Sequence, residues 1–227
     1  MKNFLISIIL IPFFCFSQSK ESNSYSYLAL GDSYTIGESV KESERWPVQL
    51  YKSLKNKISY PTIIAKSGWT TDQLIDTLNK TKFKNYDFVS LLIGVNNQYR
   101  GRSIESFKKD FIELLERSIK YANGKKERVF VVSIPDWGVT PFANSKNRNI
   151  IEKEINEFNN IISKECSIND IKFIDVTQNS RTALQNKSLI AEDGLHPSKK
   201  MYKQWVKIIK PYFKSFNGIK TDCNRKG

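Results

Sequence analysis

Residues 25–34 read YSYLALGDSY: an uncharged run from Tyr25 to Leu30 leads directly into Gly31, Asp32 and Ser33. A half-buried strand would alternate polar and apolar residues. A run that is apolar almost throughout suits a parallel strand covered on both faces. Gly31 lets the chain turn sharply as it leaves this strand, so Ser33 is delivered at the strand's carboxyl end. Four further runs of the same kind follow: Pro61 to Ala65, Phe88 to Ile93, Val129 to Ile134 and Ile171 to Val176.

Between these runs lie segments of helical period. Ser103 is placed to cap a helix with the stripe Ile104, Phe107, Phe111, Leu114 or Leu115, and Ser118. A second helix carries Ile151, Ile155, Phe158 and Ile162, and the last carries Tyr202, Trp205, Ile209, Tyr212 and Phe216. Shorter helices fit Pro47 to Lys57 and Thr71 to Lys80. Strict alternation of strand and helix predicts an α/β fold: five parallel strands between two helix layers, with right-handed crossovers. In such folds ligands bind outside the carboxyl ends of the strands.

The polar and glycine-rich segments follow that rule. Gly31-Asp32-Ser33-Tyr34, Ser67-Gly68-Trp69-Thr70-Thr71, Gly94-Val95-Asn96-Asn97 and Pro135-Asp136-Trp137-Gly138 each come straight after a strand, and Asp193-Gly194-Leu195-His196-Pro197 precedes the last helix. His196 is the chain's one histidine, so imidazole chemistry rests on it alone. One histidine and three cysteines also exclude a multi-histidine zinc site and a four-cysteine one. Asp193, three residues before His196, can reach Nδ1 and leave Nε2 for a serine from another loop, of which Ser33 is the best placed. The backbone N–H groups of Ser33 and Gly68 and the side-chain amide of Asn96 are candidate donors to an oxyanion. Trp69, Tyr99 and Trp137 fall on or near the same loops and are candidate substrate contacts.

Taken in chain order, these blocks resemble the SGNH hydrolases, the GDSL-like lipase/esterase family. The resemblance rests on Gly31-Asp32-Ser33, Gly68, Gly94-Val95-Asn96-Asn97 and Asp193-Gly194-Leu195-His196-Pro197, and spans about Tyr25 to Phe216. It implies a flavodoxin-like, three-layer α/β/α sandwich with a five-stranded sheet. It implies further that Ser33 is the nucleophile, His196 the base and Asp193 its orienter, with Ser33, Gly68 and Asn96 as the oxyanion hole. Asp32 corresponds to the family's structural carboxylate. Tyr34 stands where the family name has leucine, and Asn97 where aspartate is common, so an amide would have to hold that loop by hydrogen bonds without charge.

The ends of the chain carry a separate message. Lys2, the apolar stretch Phe4 to Phe16 and Ser17 before Gln18 read as an export signal over residues 1–17, too short to cross a bilayer. A lipid anchor on Cys15 is disfavoured because bulky Phe14 precedes it. Residues 18–24 form a lead, 25–217 the hydrolase domain and 218–227 a polar tail. After export an oxidising compartment would permit a bridge between Cys166 and Cys223, or leave both as free thiols.

The formal charge is +13, and removing residues 1–17 takes away one lysine and no acid. The basic balance therefore belongs to the domain, and it suggests a rival reading as a non-enzymatic module for anionic surfaces. The lysines form no dominant run, however, and export argues against nucleic acid. Neither a P-loop nor a dinucleotide fingerprint occurs. The expected function is an exported serine esterase acting on a small-molecule, lipid or carbohydrate ester, with no metal or cofactor; lysophospholipids, fatty acyl esters and sugar acetates all remain open.

Overall fold

The five apolar runs become β1 (Tyr27–Gly31), β2 (Thr62–Ala65), β3 (Phe88–Leu92), β4 (Val129–Val132) and β5 (Lys172–Ile174) in the computed structural model, which describes residues 24–55, 57–82 and 84–216. They form one sheet in the order β2-β1-β3-β4-β5, with every pairing parallel. Every residue of β1, β3 and β4 is buried, which explains their nearly unbroken apolar runs. The outer strands β2 and β5 are partly exposed and carry Thr62 and Lys172 at their open positions.

Strand order decides where the helices go. From β1 the chain steps outward to β2 through α1 (Ser33–Ile36) and α2 (Trp46–Ser53). It then reverses direction, passing through α3 (Thr71–Lys80) to β3, through α4 (Val95–Tyr99) and α5 (Ile104–Tyr121) to β4, and through α6 (Arg148–Ile168) to β5. Right-handed crossovers put helices on opposite faces when the direction reverses. Accordingly α3, α5 and α6 pack side by side on one face. On the other, α2 packs against α8 (Lys199–Ile209), which follows the short α7 (Thr177–Arg181). The reversal lies between β1 and β3, and the crevice at their carboxyl ends is where this architecture places a site.

The helix stripes bury as their spacing requires: Phe107, Phe111, Leu114, Leu115 and Ser118 on α5, and Ile151, Ile155, Phe158 and Ile162 on α6. Ser103 caps α5 by accepting from the Ser106 N–H. The last helix departs from the expected pattern. α8 ends at Ile209, and residues Lys210–Ser215 tighten into a 3₁₀ segment around Pro211, which has no N–H to continue the α-helical ladder. The tighter winding turns Phe213 into the core, while Tyr212 and Phe216 are only partly buried against it.

Cys166 is buried in α6 as a free thiol that burial, followed by the neighbouring Glu165 charge, pushes up to about 12. Its candidate partner Cys223, the export signal and the polar tail lie outside the described residues. Among the described residues no helix is long and apolar enough to cross a membrane.

Candidate active site

Ser33 opens α1 directly after β1 and is buried, and Asp32 caps that helix by accepting from the Tyr34 N–H at 3.0 Å through Oδ1. The other carboxyl oxygen of Asp32 is buried and has no hydrogen-bond partner among the described residues. Burial is the main cause that raises this carboxyl to about 7, against the opposing pull of backbone N–H groups. Between about pH 4 and 7 the folded chain keeps a proton that the unfolded chain has released, so this group's contribution to stability declines as pH rises through that window. Asp32→Asn removes the dependence. Its unfolding free energy relative to the parent should therefore move in the variant's favour between pH 4.5 and 8, by at most about 4 kcal/mol. A difference that stays constant over this range in urea titrations would contradict a buried, raised carboxyl.

His196 is held by its own loop. Gly194 adopts a left-handed φ of 73°, which bends the chain so that Asp193 Oδ1 accepts from the N–H groups of Leu195 and His196, both at 2.9 Å. The second oxygen, Oδ2, lies 2.5 Å from His196 Nδ1. Burial alone would raise the Asp193 carboxyl. Hydrogen bonds from Ser39, from His196 and from the two backbone N–H groups outweigh it and hold the group down to about 2. An ionised carboxylate only accepts, so Nδ1 carries a proton, and in the neutral ring Nε2 is then the acceptor. Ser33 and His196 line one cavity without a hydrogen bond between them; such contacts often tighten only when substrate binds.

The oxyanion candidates converge on the same cavity, whose volume is about 180 Å³. Gly68 has φ of 81°, and its carbonyl accepts from an Arg100 guanidinium nitrogen at 2.6 Å. Asn96 stands at the start of α4 and donates one amide hydrogen to the Trp69 carbonyl at 3.0 Å, which leaves the other available. Asn97 does what the sequence required of an amide at that position. Its Oδ1 accepts from the Thr71 N–H and its Nδ2 donates to the Thr71 hydroxyl, which in turn donates to Asp110. The start of α4 is thereby tied to the start of α3, and Asn96 to the Gly68 loop.

Two of the three aromatic candidates line the cavity. Tyr99 is 50% exposed at the mouth, and Trp137 is buried behind it with ring centroids 5.3 Å apart. Trp137 is fixed by donating Nε1–H to Gln98, whose own amide donates to Glu154. Trp69 is different: its side chain packs against the core and does not line the cavity, and its contribution here is the carbonyl that receives Asn96. Sequence reasoning missed Phe142, which is 44% exposed, lies 6.1 Å from Tyr99 and completes the aromatic wall. Its backbone N–H donates to the Gly194 carbonyl, tying the loop after β4 to the histidine loop. The available signal was only that residue 142 belongs to a segment following a strand.

A buried serine at a strand end, an imidazole oriented by a carboxylate and amide donors around one apolar cleft are the equipment of an ester hydrolase. Comparison with known proteins agrees. The model of the GDSL-like lipase/acylhydrolase family matches residues 29–204, and the chain belongs to that family. A search of curated proteins finds no significant match. Among solved structures, a lipolytic G-D-S-L family protein from Veillonella parvula is 17% identical, with a TM-score of 0.63 over 84% of this chain and 99% of its own. A lipase from a goat rumen metagenome is 20% identical, with a TM-score of 0.66 over 87% and 100% of the two chains. An acetylxylan esterase from Geobacillus stearothermophilus is 14% identical, with a TM-score of 0.65 over 87% and 97%. At these identities the likeness concerns the fold. The enzyme is a hydrolase of ester bonds, and the reading as a non-enzymatic basic module is set aside.

Proposed function

We propose that the chain is a serine esterase that forms an acyl-enzyme on Ser33. Nε2 of His196 takes the Ser33 proton as Oγ attacks the ester carbonyl. The same proton then passes to the leaving alkoxide, and a water activated by His196 hydrolyses the acyl-enzyme. Asp193 holds the imidazole and stabilises its charged form. The N–H groups of Ser33 and Gly68 and the free amide hydrogen of Asn96 take the negative charge of the tetrahedral intermediate. The observation that carries this reading is that Ser33, Gly68, Asn96 and His196, from four separate loops, line one cavity.

The substrate class proposed is a carboxylic ester with a short to medium acyl group lying along Tyr99, Trp137 and Phe142. A second reading, removal of acetyl groups from carbohydrate, is favoured by the exposed rings of Tyr99 and Phe142, whose faces suit the C–H faces of a sugar. We further propose export through residues 1–17, peripheral attraction to anionic surfaces from the basic charge, and no nucleic-acid partner. A panel of p-nitrophenyl esters of increasing chain length, run with acetylated oligosaccharides and lysophospholipids, tests the substrate. Rates should be highest at the short end, with KM raised about tenfold by Phe142→Ala, the loss of roughly one large apolar contact. Rates that climb steadily to long-chain lysophospholipids would overturn the short-acyl assignment. Acetylated sugars outpacing simple acetates would favour the second reading.

A further inference from the structure

The turn that follows α1 makes contacts that nothing in the reaction as written explains. Ser39 has φ of 62°, a left-handed conformation that glycine adopts without strain and a serine does not. Its hydroxyl donates to Oδ2 of Asp193 at 2.6 Å, across 154 residues of sequence. That oxygen is the one facing His196 Nδ1. The neighbouring Glu38 accepts a hydrogen bond from the hydroxyl of Ser67, beside Gly68. The backbone N–H groups of Gly37 and Glu38 both donate to the Ser33 carbonyl. A single turn therefore touches the nucleophile's own peptide, the oxyanion loop and the triad carboxylate.

We propose that Ser39 is a positioning residue of the esterase reaction, its hydroxyl fixing the Asp193 oxygen that accepts the hydrogen bond from the imidazole Nδ1–H; this rests on the serine mechanism above. Asp193 needs such a partner because its side chain is 30% exposed. Oδ1 is held by the two N–H groups of its own turn and Oδ2 by the Ser39 hydroxyl, so the planar carboxylate is pinned on both oxygens. With Ser39 removed, water takes its place and the carboxylate can swing out of line with Nδ1. The left-handed backbone at Ser39 is then the strain accepted for placing a hydroxyl at this point, where glycine would satisfy the chain alone.

Ser39→Gly separates the two roles, because it relieves the backbone and deletes the hydroxyl. The expected result is a melting temperature equal to or above the parent's, kcat lower by about three- to tenfold and KM within twofold, the loss of one net hydrogen bond felt in the chemical step. Combined with Asp193→Ala, the same change should have no further effect on the residual rate, since Ser39 acts through that carboxylate. Wild-type kcat in Ser39→Gly would overturn the proposal, as would an equal loss in both backgrounds. Ser33→Ala assayed alongside keeps the two readings apart. Turnover retained there removes the serine mechanism, whereas an inactive Ser33→Ala beside a fully active Ser39→Gly removes only Ser39.

Discussion

Ser33→Ala and His196→Ala are each expected to lower kcat for p-nitrophenyl acetate by about 10⁴ to 10⁶, with the melting temperature unchanged within a few degrees. In the proposed mechanism the loss is large because the two side chains act as one unit: without the base the hydroxyl is a poor nucleophile, and without the hydroxyl the base has nothing to activate. Asn96→Ala in the same assay should cost only about 10² to 10³, the worth of one oxyanion donor, since two backbone N–H groups remain. Stability should hold because the Ser33 side chain makes no hydrogen bond among the described residues, and the His196 ring contacts Tyr34 and a partly exposed Asp193 but fills no core position. The single imidazole adds a second measurement. An acylating reagent for histidine can strike only one ring in this chain, so inactivation should follow its modification one for one. Turnover surviving in purified Ser33→Ala, or full activity with His196 modified, would remove the acyl-enzyme mechanism.

How much of this was readable beforehand depends on how far apart in sequence the partners lie. The Asp193–His196 pair was legible because its geometry is made within one turn: the carboxylate that orients the ring also accepts from the ring's own backbone N–H. The sheet was legible because β1, β3 and β4 are buried on both faces and therefore apolar almost throughout. Ser39, Phe142 and Arg100 carried no comparable signal. Ser39 meets Asp193 across 154 residues, Arg100 meets the Gly68 carbonyl across 32, and Phe142 meets the histidine loop through a backbone hydrogen bond that any non-proline residue could make. Trp69 misled for the opposite reason. Its neighbour Gly68 faces the cavity, and the turn between them sends the indole back towards the core.

The largest loss of stability is expected from Gly31→Ala. Gly31 ends β1, in register with Ala65 of β2 and Leu92 of β3. A Cβ there would lie 2.3 Å from the Leu92 carbonyl oxygen and 2.3 Å from the Thr35 hydroxyl. A side chain could rotate away, but the Leu92 oxygen belongs to the backbone of the central strand. Relief therefore requires β1 and β3 to separate. That puts the cost at or above the upper end of overpacking, about 3–5 kcal/mol, or roughly 10 °C in melting temperature for a chain of this size. Gly101→Ala is the control: its φ of 63° is left-handed but a Cβ there meets nothing within 4 Å, so it should cost only about 1–2 kcal/mol. Equal melting temperatures for the two variants would show that the close approach at Gly31 does not constrain the sheet. The folded fraction of Gly31→Ala should also be a poor enzyme. Ser33 follows β1 and Asn96 follows β3, so the contact that a methyl group would break bears on the distance between the proposed nucleophile and the proposed oxyanion donor. A displacement of about 1 Å there is worth roughly 10² in rate. The glycine before Asp32-Ser33 thus lets two strands come close enough for Ser33 and Asn96, from separate loops, to line one cavity.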